Sequence, residues 1–197
     1  MNNIKIISFF IKMDAYQALD GRRTVRQYEP DYSIPNDVLE KIVKVVLKSP
    51  TGCDIQDIDL VVVTKKDLLE KIQKVALSTW PDNFQNDFNS RKRKLGVNNV
   101  ITCDAPCVIF LVQNERADPT FTSIDAGIVS MAIMIAARNF GLESMCLGSL
   151  LWGDKSKTED LIGIKKNTLA MAVAIGKPRP EHKEGPKNVV AKATYIK

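Results

Sequence analysis

The segment from Arg22 to Arg26 (RRTVR) places three guanidinium groups and one hydroxyl within five residues. Guanidinium groups donate paired, charge-assisted hydrogen bonds to phosphate and carboxylate oxygens. The segment could therefore bind an anionic group. A run of like charges is more often a solvated turn, so composition alone favours that plainer interpretation.

Two further segments combine polar groups with turn-forming residues. Ser49 to Gln56 (SPTGCDIQ) lies between a predicted helix and a predicted strand, a position where loops can line ligand sites. Cys146 to Leu150 (CLGSL) follows the most apolar stretch of the chain, and Gly148 would let the backbone approach a flat ligand closely. Each segment could also be an ordinary turn.

The other reactive residues form no known catalytic or metal-binding pattern. Zinc sites usually need two close pairs of ligands, whereas only Cys103 and Cys107 are close among the four cysteines. His182 is the only histidine, which argues against a Ser-His-Asp triad. No G-x-G-x-x-G pattern is present, and Asp154 stands where the spacing from Gly148 would need a P-loop lysine. We therefore predict no metal site and neither type of nucleotide loop.

The composition bounds the class of protein. The chain has 197 residues, 45% of them apolar, and a formal net charge of +5. These values fit one compact domain, or at most two small ones, and exclude a disordered tail or a disulfide-stapled miniprotein. The mild positive charge suits a phosphate-bearing ligand without requiring nucleic acid.

The apolar stretches are too short to span a membrane. The longest, residues 126–137, is interrupted by Ser130 and falls short of the roughly 18 to 20 residues that a bilayer requires. Residues 1–12 contain an apolar run that is shorter than the core of a signal peptide. We therefore expect a cytoplasmic protein without a membrane partner, in which residues 1–12 are an N-terminal extension and Met13 is an alternative start.

Hydrophobic periodicity predicts a mixture of helices and strands, and hence an α+β fold. Helices are predicted at residues 13–20, 35–48, 66–77, 122–140 and 155–162, and strands at 58–64, 106–113, 144–147 and 168–176. Residues 80–99 are polar and aperiodic, which predicts a loop with a helical piece, and residues 177–197 predict an extended arm.

The helix predicted at residues 122–140 is apolar nearly all round, so it should be buried on several sides. Thr122 and Asp125 have capping-box spacing at its start, and Gly141 ends it. Such a helix can be buried in a core or in the seam of a dimer. We expect an intertwined homodimer, although the periodicity itself establishes only burial.

The order and separation of these segments resemble the nitroreductase family of FMN-dependent oxidoreductases. RRTVR is similar to the family's R-R-S-x-R opening, SPTGCDIQ to its S-P-S-x-x-N-x-Q box, and Asp125 to Leu150 to its D-x-G helix and following turn. The resemblance runs from about Met13 to Val190. It implies a central, mostly antiparallel sheet flanked by helices, with residues 13–197 forming a single FMN-binding domain that has an extended C-terminal arm.

The resemblance also implies a homodimer with FMN at the subunit interface and a ping-pong reaction. NADH or NADPH would reduce the flavin and leave. A small-molecule electron acceptor, such as a nitroaromatic or a quinone, would then bind in the same place and be reduced by the flavin. The flavin carries this chemistry, so no side chain is expected to act as a nucleophile. Flavin reduction, flavin cleavage and dehalogenation are alternative reactions on the same scaffold.

The family pattern implies cofactor-binding roles residue by residue. Arg22 matches the phosphate-contacting arginine, with Arg23 and Thr24 beside the phosphate or ribityl chain. Arg26 matches the basic residue near the N1 and O2 edge, where a cation would stabilise the reduced ring. Pro50, Thr51 and Gly52 match a loop that reaches the flavin from the partner subunit. Leu147, Gly148 and Ser149 match a turn whose backbone meets the ring. Lys183 matches a phosphate contact in the tail, with Lys187 as its rival.

Asp54 departs from the family pattern, which usually has asparagine bonded to the pyrimidine edge of the flavin. An ionised carboxylate can accept a hydrogen bond from N3–H but cannot donate one to O4. Its charge should also disfavour reduction of the ring, so we predict a lower flavin potential than asparagine would give. Asp57 and Ile58 replace the Pro-Trp pair that often follows in the family, which leaves the wall of the substrate pocket undefined.

A non-enzymatic basic binding module is the alternative of a different class, because residues 90–94 (SRKRK) form a basic run. Aromatic residues are only 7% of the chain and none interleaves with this run, as base stacking would require. A solvated face explains the run better, so we expect no nucleic-acid partner.

Overall fold

The computed structural model describes residues 13–182 and 185–196 and contains one four-stranded sheet. Its strands are β1 (Ile58–Val63), β2 (Cys107–Gln113), β3 (Glu143–Cys146) and β4 (Leu169–Gly176). They pair in the order β1-β2-β4-β3, and every neighbouring pair is antiparallel. The predicted α+β class with an antiparallel sheet is confirmed.

Six α-helices surround the sheet within the described ranges. They are α1 (Ala15–Gly21), α2 (Asn36–Val46), α3 (Lys66–Ser78), α4 (Asp82–Leu95), α5 (Thr122–Arg138) and α6 (Ser156–Ile162). Two short 3-10 turns, Gly52–Asp54 and Gly148–Leu151, fall in two of the predicted site segments. The predicted N-terminal extension, residues 1–12, lies outside the described residues.

Strand β2 is buried on both faces, as its continuous apolar run predicts. Helices α2 and α5 pack on one face, and α3, α4 and α6 contribute side chains to the core on the other. Successive residues of a strand point to opposite faces, so β2 supplies both cores: Cys107, Ile109 and Leu111 to the first, and Val108, Phe110 and Val112 to the second.

Helix α4 shows that the helical piece predicted within residues 80–99 takes up most of that segment, since it spans 14 residues. Only Phe88 of this helix is buried, so its sequence lacks an apolar stripe. The ring of Phe88 packs edge-on against Trp80 with centroids 4.7 Å apart, and Trp80 also lies 5.6 Å from Trp152. Phe84 of the same helix also lies 5.6 Å from Trp152, so aromatic contacts hold α4. Gly96 ends the helix in the left-handed conformation that glycine adopts without strain.

The predicted capping box at the start of α5 is wrong. The Thr122 hydroxyl lies 2.8 Å from Asp57 Oδ2 and 2.8 Å from the Asp118 carbonyl oxygen, while Asp125 accepts from the backbone of Gly52. Both side chains therefore hold neighbouring segments in place and do not cap their own helix.

One side of α5 stays outside the core of its own chain. Ile124 is 60% exposed, and Ile128, Met131 and Ile135, which follow at helical spacing, are only partly buried. The expectation that this helix is covered on several sides is therefore not met within one chain. No helix of the described ranges is long and apolar enough to cross a bilayer.

The start of the tail does not extend freely. Pro178 bridges to Tyr28, the Arg179 amide donates to the Gln27 carbonyl at 3.0 Å, and Arg179 Nη2 lies 3.2 Å from Asp104. Beyond this anchor, residues 185–196 are exposed and form no helix or strand, which agrees with the predicted arm.

Candidate functional site

The RRTVR segment runs alongside β3. Thr24 forms a parallel bridge with Ser144, and the Val25 amide donates to the Ser144 carbonyl at 3.1 Å. Val25 is fully buried, whereas its neighbours Thr24 and Arg26 are exposed. This alternation turns the polar residues of the segment away from the core and toward the end of β3.

The CLGSL turn continues from β3 and meets the RRTVR segment at a small cavity. Arg26, Leu147 and Ser149 all line this cavity, whose volume is about 160 Å³. A side-chain carbon added at Gly148 would have no atom within 4 Å, so the backbone there is open to a ligand. The structure thus brings together two segments that lie more than one hundred residues apart in sequence.

The charges of this region are positive. Burial raises the pKa of the Cys146 thiol, and the Arg22 guanidinium opposes that rise. Burial raises the pKa of Cys103 to about 11. The negative charge of Asp104 adds to this rise, whereas the positive charges of Arg26 and Arg91 oppose it. Thiols with raised pKa values remain largely protonated at neutral pH and are weak nucleophiles.

Arg138, at the end of α5, fixes the start of the RRTVR segment. Its Nη1 donates to the Gly21 carbonyl at 2.7 Å and to Glu143 Oε1 at 2.6 Å. Arg23 uses its donors nearby, on the Asp20 carbonyl at 2.6 Å and the Gly185 carbonyl at 3.3 Å. No sequence pattern pointed to Arg138, because its role depends on contacts with two other segments.

The SPTGCDIQ loop lies at the opposite end of α5. The Gly52 amide donates to both carboxylate oxygens of Asp125 at 3.0 Å. Cys53, Asp54 and Gln56 have φ angles of 50°, 55° and 50°, a left-handed conformation that costs non-glycine residues about 1 kcal/mol or more each and is concentrated at ligand sites. Within this loop Pro50, Cys53 and Asp54 are exposed.

The two groups of predicted site residues lie at opposite ends of α5. Asp125 anchors the loop and Arg138 anchors the RRTVR segment, 13 positions further along a helix of 17 residues. At 1.5 Å per residue the two anchors are about 20 Å apart along the axis. The structure brings Arg26, Leu147 and Ser149 to one cavity but leaves Thr51, Gly52 and Asp54 at the other end of the helix.

The tail lysines and the basic run at residues 90–94 were also predicted features. Lys183 lies outside the described residues, and its rival Lys187 is exposed in the arm. The basic run at residues 90–94 is largely exposed, as a solvated face should be, and its member Arg91 also lines the same cavity as Arg26. The sequence interpretation missed Arg91, since a basic run on a helix shows no sign of which member faces a cavity.

The comparisons with known proteins agree with this geometry. The family model described as the nitroreductase family matches residues 19–177. The chain therefore belongs to the nitroreductase family, as its sequence motifs predicted.

The chain is similar to proteins from several microorganisms. A Methanothermobacter thermautotrophicus protein provisionally named NADH dehydrogenase/NAD(P)H nitroreductase is 26% identical over 70% of this chain and 62% of its own length. The chain thus spans less than two thirds of that relative. The CLA biosynthesis enone reductase of Lactiplantibacillus plantarum is 24% identical over 87% of this chain and 88% of its own. A Bacteroides fragilis nitroreductase solved with bound FMN shares the fold, with a TM-score of 0.75 at 19% identity over 93% of this chain and 98% of its own.

Proposed function

We propose that the protein is an FMN-dependent oxidoreductase that takes electrons from NADH or NADPH and passes them to a small electrophile, such as a nitroaromatic or a quinone, in two successive half-reactions. The observation that carries this proposal is the contact of RRTVR with β3 and the CLGSL turn, in a chain of the nitroreductase family. Bound FMN would supply the redox chemistry by accepting and returning a hydride. The protein would bind the flavin, orient it and tune its potential.

The residues present fit an anionic, flat cofactor. Arg22 and Arg26 form no ion pair with any acid of the described residues, so their charges are available to a ligand. We infer that Arg22 holds the phosphate and that Arg26 stabilises the negative charge of the reduced ring. The open backbone at Gly148 leaves room for the ring, with Leu147 and Ser149 beside it.

A homodimer would complete the site, because one chain separates its two halves. We infer a two-fold arrangement that places the loop carrying Pro50, Thr51 and Gly52 of one chain beside the RRTVR segment of the other. Two features support this inference. The apolar stripe of α5 that begins at Ile124 is exposed in one chain, and a groove of about 540 Å³ lies between α1, α2 and α5. The four cysteines are free, as expected for the cytoplasmic location that we also propose.

The visible spectrum of the purified protein tests the cofactor. It should show bound flavin, and NADH or NADPH should bleach it without oxygen. A panel of nitroaromatic, quinone and enone acceptors, with product analysis, should then restore the oxidised spectrum and separate reduction from flavin cleavage or dehalogenation. The enones are included because a relative is named an enone reductase.

The double variant Arg22→Ala/Arg26→Ala tests the assigned residues. It should lose flavin on dialysis, because both cations that we assign to the cofactor are gone. Arg93→Ala, which removes one exposed arginine from α4, should keep it. A colourless wild type that takes up no FMN would refute the proposed function, and a double variant that keeps its pigment would refute the residue assignment.

A further inference from the structure

Arg91 is held in place by an aromatic cluster. Its guanidinium carbon lies 4.4 Å from the centroid of the Phe88 ring, within the range of a cation–π contact. Phe88 is buried, and its ring also meets Trp152 at 6.2 Å. Phe88, Arg91 and Trp152 all line the cavity beside the proposed flavin site. Arg91 is exposed, and the contact with Phe88 positions its guanidinium at that cavity.

The cavity holds two cations and no acid. Its lining includes Arg26 and Arg91, but no aspartate or glutamate. Asp104 acts on the same Cys103 thiol as these arginines, but it accepts from the Asn99 amide at 2.8 Å and pairs with Arg179 at 3.2 Å. Neither Arg26 nor Arg91 has an ion-pair partner in the part of the chain that the structure describes. The cavity is thus electropositive and suits an anion.

The two cations differ in where they come from. Arg26 belongs to the segment that we assign to the flavin, and it lies beside Leu147 and Ser149 of the ring-contacting turn. Arg91 enters from α4, with the aromatic rings of Phe88 and Trp152. A cation framed by aromatic side chains is matched to a ligand that joins an aromatic ring to an anionic group.

We propose that Arg91 binds the anionic group, a carboxylate or a phosphate, of an aromatic electron acceptor, and that the enzyme therefore prefers anionic acceptors to neutral ones. This inference rests on the proposed function, since it places the acceptor next to the flavin. It adds a substrate class and a specificity-determining residue.

The test compares 4-nitrobenzoate with 4-nitrobenzamide, which share a ring and a nitro group but differ in charge. For FMN-loaded wild type, kcat/KM should be higher for the benzoate. Arg91→Gln should lower the benzoate-to-benzamide ratio of kcat/KM about tenfold, the effect of losing one charge-assisted hydrogen bond. Arg91→Lys, which keeps the charge, should recover part of the ratio. Arg93→Gln, a matched loss of charge on α4 outside the cavity lining, should leave it unchanged.

Three further measurements decide what Arg91 does. Unchanged FMN content in Arg91→Gln supports the proposal, whereas loss of FMN would make Arg91 a flavin ligand and overturn it. An effect on the oxidation of NADPH relative to NADH, with no effect on the acceptor ratio, would assign the anion to the donor and also overturn it. Wild type that binds FMN but shows no charge preference overturns this inference alone, while wild type that binds no FMN overturns the proposed function as well.

Discussion

Arg138 and Glu143 form an ion pair that joins the end of α5 to the start of β3. Arg138 Nη1 lies 2.6 Å from Glu143 Oε1, and the two side chains are only 9% and 12% exposed. The same nitrogen donates to the carbonyl of Gly21, the residue before Arg22. The pair thus fixes the point from which the proposed phosphate-binding segment begins.

Removing Arg138 should weaken both the fold and cofactor binding. Arg138→Met removes the cation of this buried ion pair, and breaking a buried pair by removing one partner costs about 3 to 5 kcal/mol. We expect a lower urea midpoint for the FMN-free protein and weaker FMN binding, because Arg22 loses its fixed start. Arg138→Lys should recover more of the stability than of the FMN affinity, since lysine keeps the charge but lacks the rigid, planar guanidinium that holds Nη1 between Gly21 and Glu143.

The exposed pair of Lys41 and Asp37, at 2.8 Å on α2, provides the control for this prediction. Lys41→Met should leave both the urea midpoint and FMN binding unchanged, because exposed pairs contribute little. Wild-type stability in Arg138→Met would show that the buried pair does not hold the segment.

The exposed stripe on α5 predicts the assembly state. Ile124→Asp places a charge on the apolar surface that we assign to the dimer, and desolvating that charge should prevent association. Sedimentation should show a monomer that also binds FMN poorly, because each site would lack the loop of its partner. Lys71→Asp, a change at an exposed position of α3, should remain a dimer. An Ile124→Asp monomer with full FMN affinity would mean that one chain completes the site alone.

The sequence predicted elements whose pattern is local. Strand β2 is a continuous apolar run, and α2 buries Val38, Leu39, Ile42 and Val46 at helical spacing, so both were found within two residues of their ends. The full extent of helix α4 was not predicted, because Phe84 and Phe88 connect it to Trp80 and Trp152, contacts that no local pattern shows.

In the candidate site, too, features with a local pattern were predicted and those that depend on distant contacts were not. The RRTVR and CLGSL segments were identified by their order along the chain, and β3 brings them together. Arg138 and Arg91 were not identified, because a helical arginine carries no local sign of what it contacts. The Thr122 and Asp125 spacing was misleading for a related reason: Asp57 and Gly52, distant in sequence, compete successfully for their side chains.

Asp54 should lower the potential of the bound flavin. Its carboxylate is exposed in one chain and accepts from Gln56 Nε2 at 3.3 Å. Asp54→Asn removes a negative charge and supplies an amide donor, so the midpoint potential should rise by about 30 mV for each tenfold gain in favour of the reduced form. A redox titration measures this shift. Asp67→Asn, the same change at an exposed position of α3, should not alter the potential. An unaltered potential in Asp54→Asn would show that Asp54 does not tune the flavin.

The four thiols should fall into two classes of reactivity. Burial raises the pKa of Cys103 to about 11 and that of Cys107 to about 12, so roughly one in a thousand and one in ten thousand are ionised at pH 8. Cys53 and Cys146 are exposed and should be alkylated before these two, although the raised pKa of the Cys146 thiol should slow its reaction, as mass spectrometry of the labelled peptides would show.

The same raised pKa values set the pH dependence of stability. The unfolded chain ionises its thiols near their ordinary pKa of about 8.5, whereas the folded chain keeps Cys103 and Cys107 protonated. The folded state then binds more protons, so its free energy of unfolding should fall as the pH rises from about 8.5 toward 11.

FMN should slow alkylation of Cys53 and Cys146 together, because we assign their segments to opposite sides of one flavin in the dimer. Protection of Cys146 alone, with Cys53 as reactive as before, would place the loop away from the cofactor and contradict the two-chain site.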